Sequence, residues 1–520
     1  MTSRHYDVIV LGKSLGALVT AALLSRRDFQ VLVISQRQQP ASYRYERFHL
    51  KRRAFTLLFG TSPVWKRILQ DLAQSPTFKR RTRVIEPMFA LLSEHRRLRI
   101  SAKPELFNQE VDREFPEVRQ LVDEFYGVLA SANSEIDDVF ARDVVWPPGT
   151  LFERFEAARG SARLPLTDAA APADLLGKFP PEHAFREVAT LPAAFATHVD
   201  YGLMGLNALG LARLHGSWSR GLSGLVGGED DIEEFLLERI AAHGGTCLNG
   251  AVERVIVQGG QVSAVQLDGG EDPIGTNALV TCLSGEAVAE LARGHGISKK
   301  ARFDWPTLTP TAGRFTVSMV VASECLPRPL PRESFLLPKE SPYPNPRQPV
   351  VHLQTYPKES LYADTRVGET LLVAEAILPA DGVLELSEAR RAVLSTVRFH
   401  LPFLDRHVRI IDSVHDGQPL QDFQTGVERR IDRVHVKDTS PKPEFMECQW
   451  SVEPPGLHGI AGEPLRGPIR GSYLVGKTTL PALGQEGELL SAWGVCRILT
   501  RKDRSRQRRR RQLWTKIETG

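Results

Sequence analysis

Cysteine is scarce in this sequence and never paired. Cys247, Cys282, Cys325, Cys448 and Cys496 are odd in number, far apart and never arranged as CxxC. That pattern argues for a reducing compartment and against a structural zinc site. No window approaches about eighteen consecutive apolar residues, and no cationic start precedes an apolar core with a small-residue cleavage site. Neither a transmembrane helix nor a signal peptide is therefore expected, which makes the cytoplasm the expected location. The fourteen histidines contain no HExxH and no paired ligand spacing, so no metal is expected.

What the chain does hold is enough for two cores. At 520 residues it exceeds one ordinary domain. Its 42% hydrophobic and 25% charged residues are those of a soluble globular protein. The net charge of +4 is uneven: residues 501–520 carry nine Lys/Arg and two acids, a net of +7, which leaves −3 for the rest. Arg504 to Arg511 (RSRQRRRR), followed by Leu513, Trp514 and Ile517, reads first as a solvated disordered tail. Its alternative is a peripheral contact with an anionic membrane or another anionic partner. No specific nucleic-acid motif accompanies it.

The most informative stretch comes first. Tyr6 to Leu11 (YDVIVL) runs into Gly12-Lys13-Ser14-Leu15-Gly16-Ala17 and on into Leu18 to Arg27, an apolar strand, a tight turn and a helix. Phe29 to Ser35 (FQVLVIS) completes a βαβ unit whose strands should be parallel and buried, with a right-handed crossover. The unit predicts a Rossmann-type dinucleotide domain.

Beyond it, Tyr43 to Arg53 is basic and aromatic, and Pro63 to Ala73 reads as an amphipathic helix. Residues 77–104 read as alternating strands rich in arginine, and Glu117 to Ala130 as a helix. Val145 to Ala196 is rich in Pro, Ala and Gly around short helices. The apolar, glycine-interrupted Tyr201 to Gly216 reads as a buried core helix, with a tunnel lining or membrane contact as alternatives. A second block follows, with Gly227-Gly228, a helix from Asp231 to Ala242, and a hairpin of Val252 to Val257 and Val262 to Leu267 turning at Gly259-Gly260. Asn277 to Leu283 is a further buried strand. Residues 300–450 alternate strands with Pro-rich loops around one helix, Ser387 to His400. Gly471 to Gly476 is a strand, Lys477 to Glu486 a loop and Gly487 to Thr500 a helix.

Two short motifs fail on context. Gly12-Lys13-Ser14-Leu15-Gly16 matches the GxSxG nucleophile elbow, but eleven residues cannot supply the earlier strand and oxyanion loop. Gly471 to Thr478 (GSYLVGKT) matches Walker A, but its middle is a strand and Leu480-Pro481 interrupts the helix that should follow.

Together and in order, the N-terminal βαβ, the block at 227–267 and the C-terminal strand-loop-helix resemble the flavin-dependent oxidoreductases of the phytoene desaturase and monoamine oxidase type. The resemblance implies an α/β fold with a Rossmann-type FAD/NAD(P)-binding domain discontinuous in sequence and an inserted α+β substrate domain. It places residues 1–75, 205–295 and 465–500 in the FAD-binding domain and 76–204 and 296–464 in the substrate or cap domain. By the same resemblance Gly12 stands at the first glycine of GxGxxG and Ala17 at the third. Val252 matches the position whose backbone meets the adenine, and Gly476, Gly484 and Gly487 align with the motif that closes on the flavin. The implied activity is FAD-dependent oxidation of an apolar or amine-bearing organic substrate. Because the flavin does the chemistry, no catalytic residue is assigned; His49, His198 and Tyr201 are candidates on the substrate side.

The departures concern the polar contacts. Ser14 replaces the second glycine. Ser35-Gln36-Arg37 stands where an acid should grip the ribose, and Gln38-Gln39-Pro40 replaces an Arg-x-Gly-Gly element. Lys477 replaces an aspartate and Leu483 a glycine, while Glu486 and Glu488 would compete with an anionic flavin for a helix N-terminus. Each lost charge-assisted contact costs on the order of 1.5 to 3 kcal/mol. Lys13 and Lys477 are candidate replacements toward phosphate, with Leu15 and Gly16 completing the loop, and Ser35 with Arg37 would suit the 2′-phosphate of NADP. Three readings stay open: an FAD-dependent oxidoreductase, a cofactor-less member of the fold acting as a binding or scaffolding protein, and an NADP-binding protein.

Overall fold

The computed structural model describes residues 4–158, 164–167, 175–205, 207–270, 272–339, 347–356 and 368–502. The basic run of the tail lies outside them.

β1 (Val8–Leu11) is followed by α1 (Leu15–Arg26) and β2 (Val31–Ile34), as the βαβ pattern predicts. α1 is buried on almost every side, from Gly16 to Ser25, which explains why it is apolar all round instead of amphipathic. α2 (Glu229–Ala242) leads into β3 (Thr246–Leu248); β4 (Leu279–Thr281), β5 (Ser472–Leu474) and α3 (Gly484–Lys502) complete the set. The five strands form one parallel sheet in the order β3-β2-β1-β4-β5, the doubly wound arrangement. α1 packs between α2 and α3, and their shared apolar core is the largest among the described residues. The fold class read from the sequence is therefore the one observed.

The predicted hairpin is Val252–Gln258 paired with Gln261–Leu267, and both Gly259 and Gly260 have positive φ, as a tight turn between two twisted strands requires. A ten-stranded sheet makes the second body, centred on the strand Thr307–Ala322, which pairs with Glu369–Pro379, Val408–Asp412 and Glu447–Glu453. The helix Leu386–His400 covers one face of it.

Several expectations need correction. Residues 77–104 are not all strand: Ser75–Arg81 is a helix, with Pro76 in its first turn and Lys79, Arg80 and Arg81 at its C-terminal end, where cations are favoured. The helix expected at Glu117 to Ala130 runs from Arg119 to Phe140, because Ile136, Val139 and Phe140 continue its buried face. The apolar run at 201–216 is broken into Tyr201–Met204 and Ala208–Ser219, the second capped by Asn207, whose side chain accepts from Gly210 N at 2.7 Å. α3 begins at Gly484, so the last residues of the expected loop are helical.

Candidate functional site

A cavity of about 1050 Å³ runs from the turn after β1 to a chamber between the parallel sheet and the ten-stranded one, with Lys13, Gln36, Arg53, His198, Trp305 and Lys477 among its walls. Its outer part is a trough along the carboxyl ends of the parallel strands, where an open α/β sheet presents its ligand crevice.

The glycines of the trough serve chain packing. A Cβ on Gly16 would stand 2.0 Å from Val475 O, on Gly476 2.5 Å from Cys282 O, on Gly484 2.1 Å from Ala196 O and on Gly487 2.3 Å from Leu480 O. Gly12 has φ +89°, and a Cβ there would meet Cys282 Sγ at 2.2 Å. Each is a place where two stretches of backbone, or a thiol and a backbone, touch.

The donors of the trough are engaged from within. Ser14 is the N-cap of α1 and accepts from Ala17 N at 3.3 Å. Glu488, buried on α3, accepts from Gly16 N at 3.2 Å, so a carboxyl oxygen already lies at the helix end that would otherwise face an anion. Gln38 folds over the turn and accepts from Lys13 N, while Lys13 Nζ is paired with Glu233. Leu15 is only partly buried and packs against the core beneath. At the far end Ser35 Oγ donates to Asn249 Oδ1 at 2.7 Å and accepts from Gly250 N at 3.2 Å. Gln36 Nε2 donates to Val252 O at 3.2 Å while Val252 N donates to Gln36 Oε1 at 2.9 Å. Arg37 forms an ion pair with Asp268.

Two expectations about charge change accordingly. Glu486 does lie in the first turn of α3, but its charge is engaged there: it holds Arg213 and accepts from Ser62 Oγ at 2.5 Å, and although burial alone would raise its carboxyl pKa, Arg213 brings it below the usual range. Lys477, the expected phosphate ligand, pairs with Glu447 at 2.6 Å.

The chamber is built differently. His198 is buried, its Nε2 3.6 Å from Glu488 Oε1 and its Nδ1 3.9 Å from Glu447 Oε1, and neither nitrogen completes a hydrogen bond. Burial lowers its pKa against the pull of Glu488, leaving a neutral imidazole at pH 7. Burial alone would raise Glu447, but Lys477 and Arg314 hold it well below the carboxylate range. Glu463 goes the other way, raised by burial, although it accepts from Gly285 N at 2.7 Å and Trp305 Nε1 at 2.9 Å. Arg314 Nε and Thr478 Oγ1 also lack partners.

Of the substrate-side candidates only His198 lines the cavity; His49 lies in the strand Phe48–Lys51 and Tyr201 opens the short helix 201–204. Glu447, Glu463, Glu488 as a cap of α1, and Gln38 were not assigned these roles from sequence. Glu488 reaches across 472 residues to Gly16, and no local pattern announces such a pair. Among the described residues there is no cluster able to hold a metal and no helix long and apolar enough to cross a membrane.

The model of the NAD(P)-binding Rossmann-like domain matches residues 10–72. An oxidoreductase from Methanosarcina mazei superposes with a TM-score of 0.57 at 15% identity, covering 94% of this chain and 99% of that one. The chain shares the fold of that protein. A cofactor-redesigned double mutant of putrescine oxidase shares it with a TM-score of 0.54 at 13% identity over 96% and 99% of the two chains. A Pyrococcus furiosus protein does so with a TM-score of 0.50 at 14% identity over 94% and 99%. No curated protein matches the sequence.

The resemblance read from the sequence implies FAD, and the residues fit it unevenly. The chamber has the volume for a ring system, with His198, Trp305, Lys477 and Gln485 in its wall. The adenylate half meets Gln36, Ser35 and Arg37 already committed to protein partners.

Proposed function

We propose that this protein is a flavin-dependent oxidoreductase acting on an apolar or amine-bearing organic molecule held in the chamber. The observation that carries the reading is the cavity of about 1050 Å³ with the buried imidazole of His198 in its wall, Nε2 3.6 Å from Glu488 and Nδ1 3.9 Å from Glu447.

Lys13 and Ser14 would hold a phosphate, once Lys13 exchanges Glu233 for it, and Lys477 and Gln485 would border the ring. When bound, the flavin supplies a two-electron acceptor for hydride. The chain's own part is proton handling and exclusion of water. His198, neutral at pH 7, can accept the proton that a substrate amine or hydroxyl releases, and Glu488 and Glu447 on either side stabilise the resulting imidazolium. Phe195, Leu58 and Trp218 supply the apolar wall.

The visible absorption spectrum of the purified protein with added flavin tests this. Stoichiometric flavin bands, bleached anaerobically by an amine or apolar substrate, are expected. A colourless protein that ignores excess FAD and FMN would end the flavin reading. The cofactor-less binding protein would then replace it, a reading favoured by the internally engaged donors of the trough.

A further inference from the structure

The short helix Leu151–Ala158 is turned inside out. Its start is a capping box: Glu153 N donates to Thr150 Oγ1 at 3.2 Å, and Thr150 N donates back to Glu153 Oε2 at 3.0 Å. Glu153 is buried all the same, because Arg466 clamps both of its oxygens, at 2.6 and 3.0 Å. One turn on, Glu156 takes Arg497 at 3.2 Å and Arg501 at 2.5 Å, both from the end of α3. The acids therefore face the protein, and Leu151, Phe152 and Phe155 are left facing out, 83%, 63% and 63% exposed. Their spacing puts all three on one side of the helix, and Arg501 lies over the Phe152 ring at 5.6 Å.

We propose that this apolar patch and the basic tail that continues from α3 form one docking surface for an anionic lipid bilayer. Large apolar side chains that adjoin one another and are held outward by buried ion pairs mark an interaction surface. α3 ends at Lys502, one residue beyond the arginine on Phe152, so the tail starts at the patch. Residues 501–520 carry a net charge of +7, with Leu513, Trp514 and Ile517 among them, and Arg154 stands exposed next to Phe155. A second copy of the chain would bring like charges together, and so would the tail laid back on Arg154 and Arg501. The partner is therefore apolar and anionic at once. Nucleic acid supplies the charge but offers Leu151 nothing. A bilayer rich in acidic headgroups supplies both, with the apolar side chains entering the boundary between headgroups and chains and the cations staying above it. Neither the chamber nor its ligand enters into this docking.

Sedimentation of the full chain with vesicles of phosphatidylcholine, with and without about one-third phosphatidylserine, tests the surface. Binding to the acidic vesicles, weakened by salt, and much weaker binding to the neutral ones are expected. Phe152→Ser combined with Phe155→Ser should weaken binding to the acidic vesicles about thirtyfold at unchanged Tm, since both rings are exposed in the free protein. Replacing Arg508, Arg509, Arg510 and Arg511 together by Gln should weaken it about a hundredfold. A full chain that stays in solution with acidic vesicles, or binds neutral ones equally well, would overturn the proposal. So would a serine double variant that binds like wild type, which would leave the tail acting as a polycation alone. Single-stranded RNA held more tightly than the vesicles through the same two phenylalanines would assign the surface to nucleic acid. A dimer lost in the serine variant, with vesicle binding kept, would assign the patch to a second copy. Either result would refute the bilayer.

Discussion

At the Gly12 end of the cavity polar groups close on one another, whereas around His198 they stop short. Gln36 with Val252, Gln38 with Lys13 and Glu488 with Gly16 leave the trough with its main donors engaged. His198, Arg314 and Thr478 keep buried atoms unpaired a short way along the same cavity. The difference separates what the fold needs from what a ligand needs. Satisfied groups stabilise the folded protein; unsatisfied ones destabilise it.

The largest expected effect tests the trough. If its glycines serve packing, Gly16→Ala, whose Cβ would fall 2.0 Å from Val475 O, should destabilise the empty protein by about 3 kcal/mol, seen as a shifted urea midpoint with an unchanged slope. A variant of wild-type stability that has lost only cofactor binding would show the glycine to be kept for the ligand, and the comparison would fail at its first term.

Gly16 also shows what can be read in the linear chain. The βαβ unit was legible because its strands, turn and helix follow within a few residues and each carries its own period, as do the hairpin at 252–267 and its two glycines. Ser75–Arg81 was misread because a seven-residue helix is too short to establish a period, and its decisive features are a proline at the start and cations at the end. The site was only half legible. The absent ribose acid and the odd residues at 36–38 could be seen, but not that Gln36 would take up Val252, nor that Glu488 would cap α1 instead of standing at its own helix. Those pairings join residues 216 and 472 positions apart and arise from the sheet order.

A second test compares two buried histidines. His215 resembles the trough: its Nδ1 pairs with Ala189 O at 3.0 Å and its Nε2 with Tyr126 Oη at 3.1 Å, and burial, partly offset by Ala189, lowers its pKa to about 4. The unfolded chain binds a proton near its ordinary value of 6.5, well before the folded one does. This neutral form therefore favours folding above about pH 6.5, and the contribution is lost as pH falls toward 4. It amounts to about 3 kcal/mol in full, about 1.4 per pH unit across that window. Urea titrations at several pH values should show this slope, and His215→Phe should flatten it while costing about 2 kcal/mol at pH 7 for the stranded Tyr126 and Ala189 groups. A His215→Phe protein as stable as wild type at pH 7 would mean that the closed histidine is not held by its bonds.

The smallest effect has the opposite sign. His198 is as deeply placed but its ring nitrogens complete no hydrogen bond, so His198→Phe should raise the stability of the ligand-free protein by about 1 kcal/mol at pH 7, a rise of a few degrees in Tm. Its pKa is lowered by burial too, so wild type loses stability as pH falls below about 6.5 while the variant is spared that loss; the gap between them should widen on acidification. The chamber has the space for the larger ring, and Trp450, whose ring centre is 6.4 Å away in an edge arrangement, offers it an aromatic partner. The same substitution should remove the proton acceptor and with it turnover of an amine substrate, so that stability and activity move in opposite directions at one residue. A loss of stability of about 2 kcal/mol in His198→Phe would instead place His198 with His215, as a bonded part of the framework, and the chamber would then be as closed as the trough.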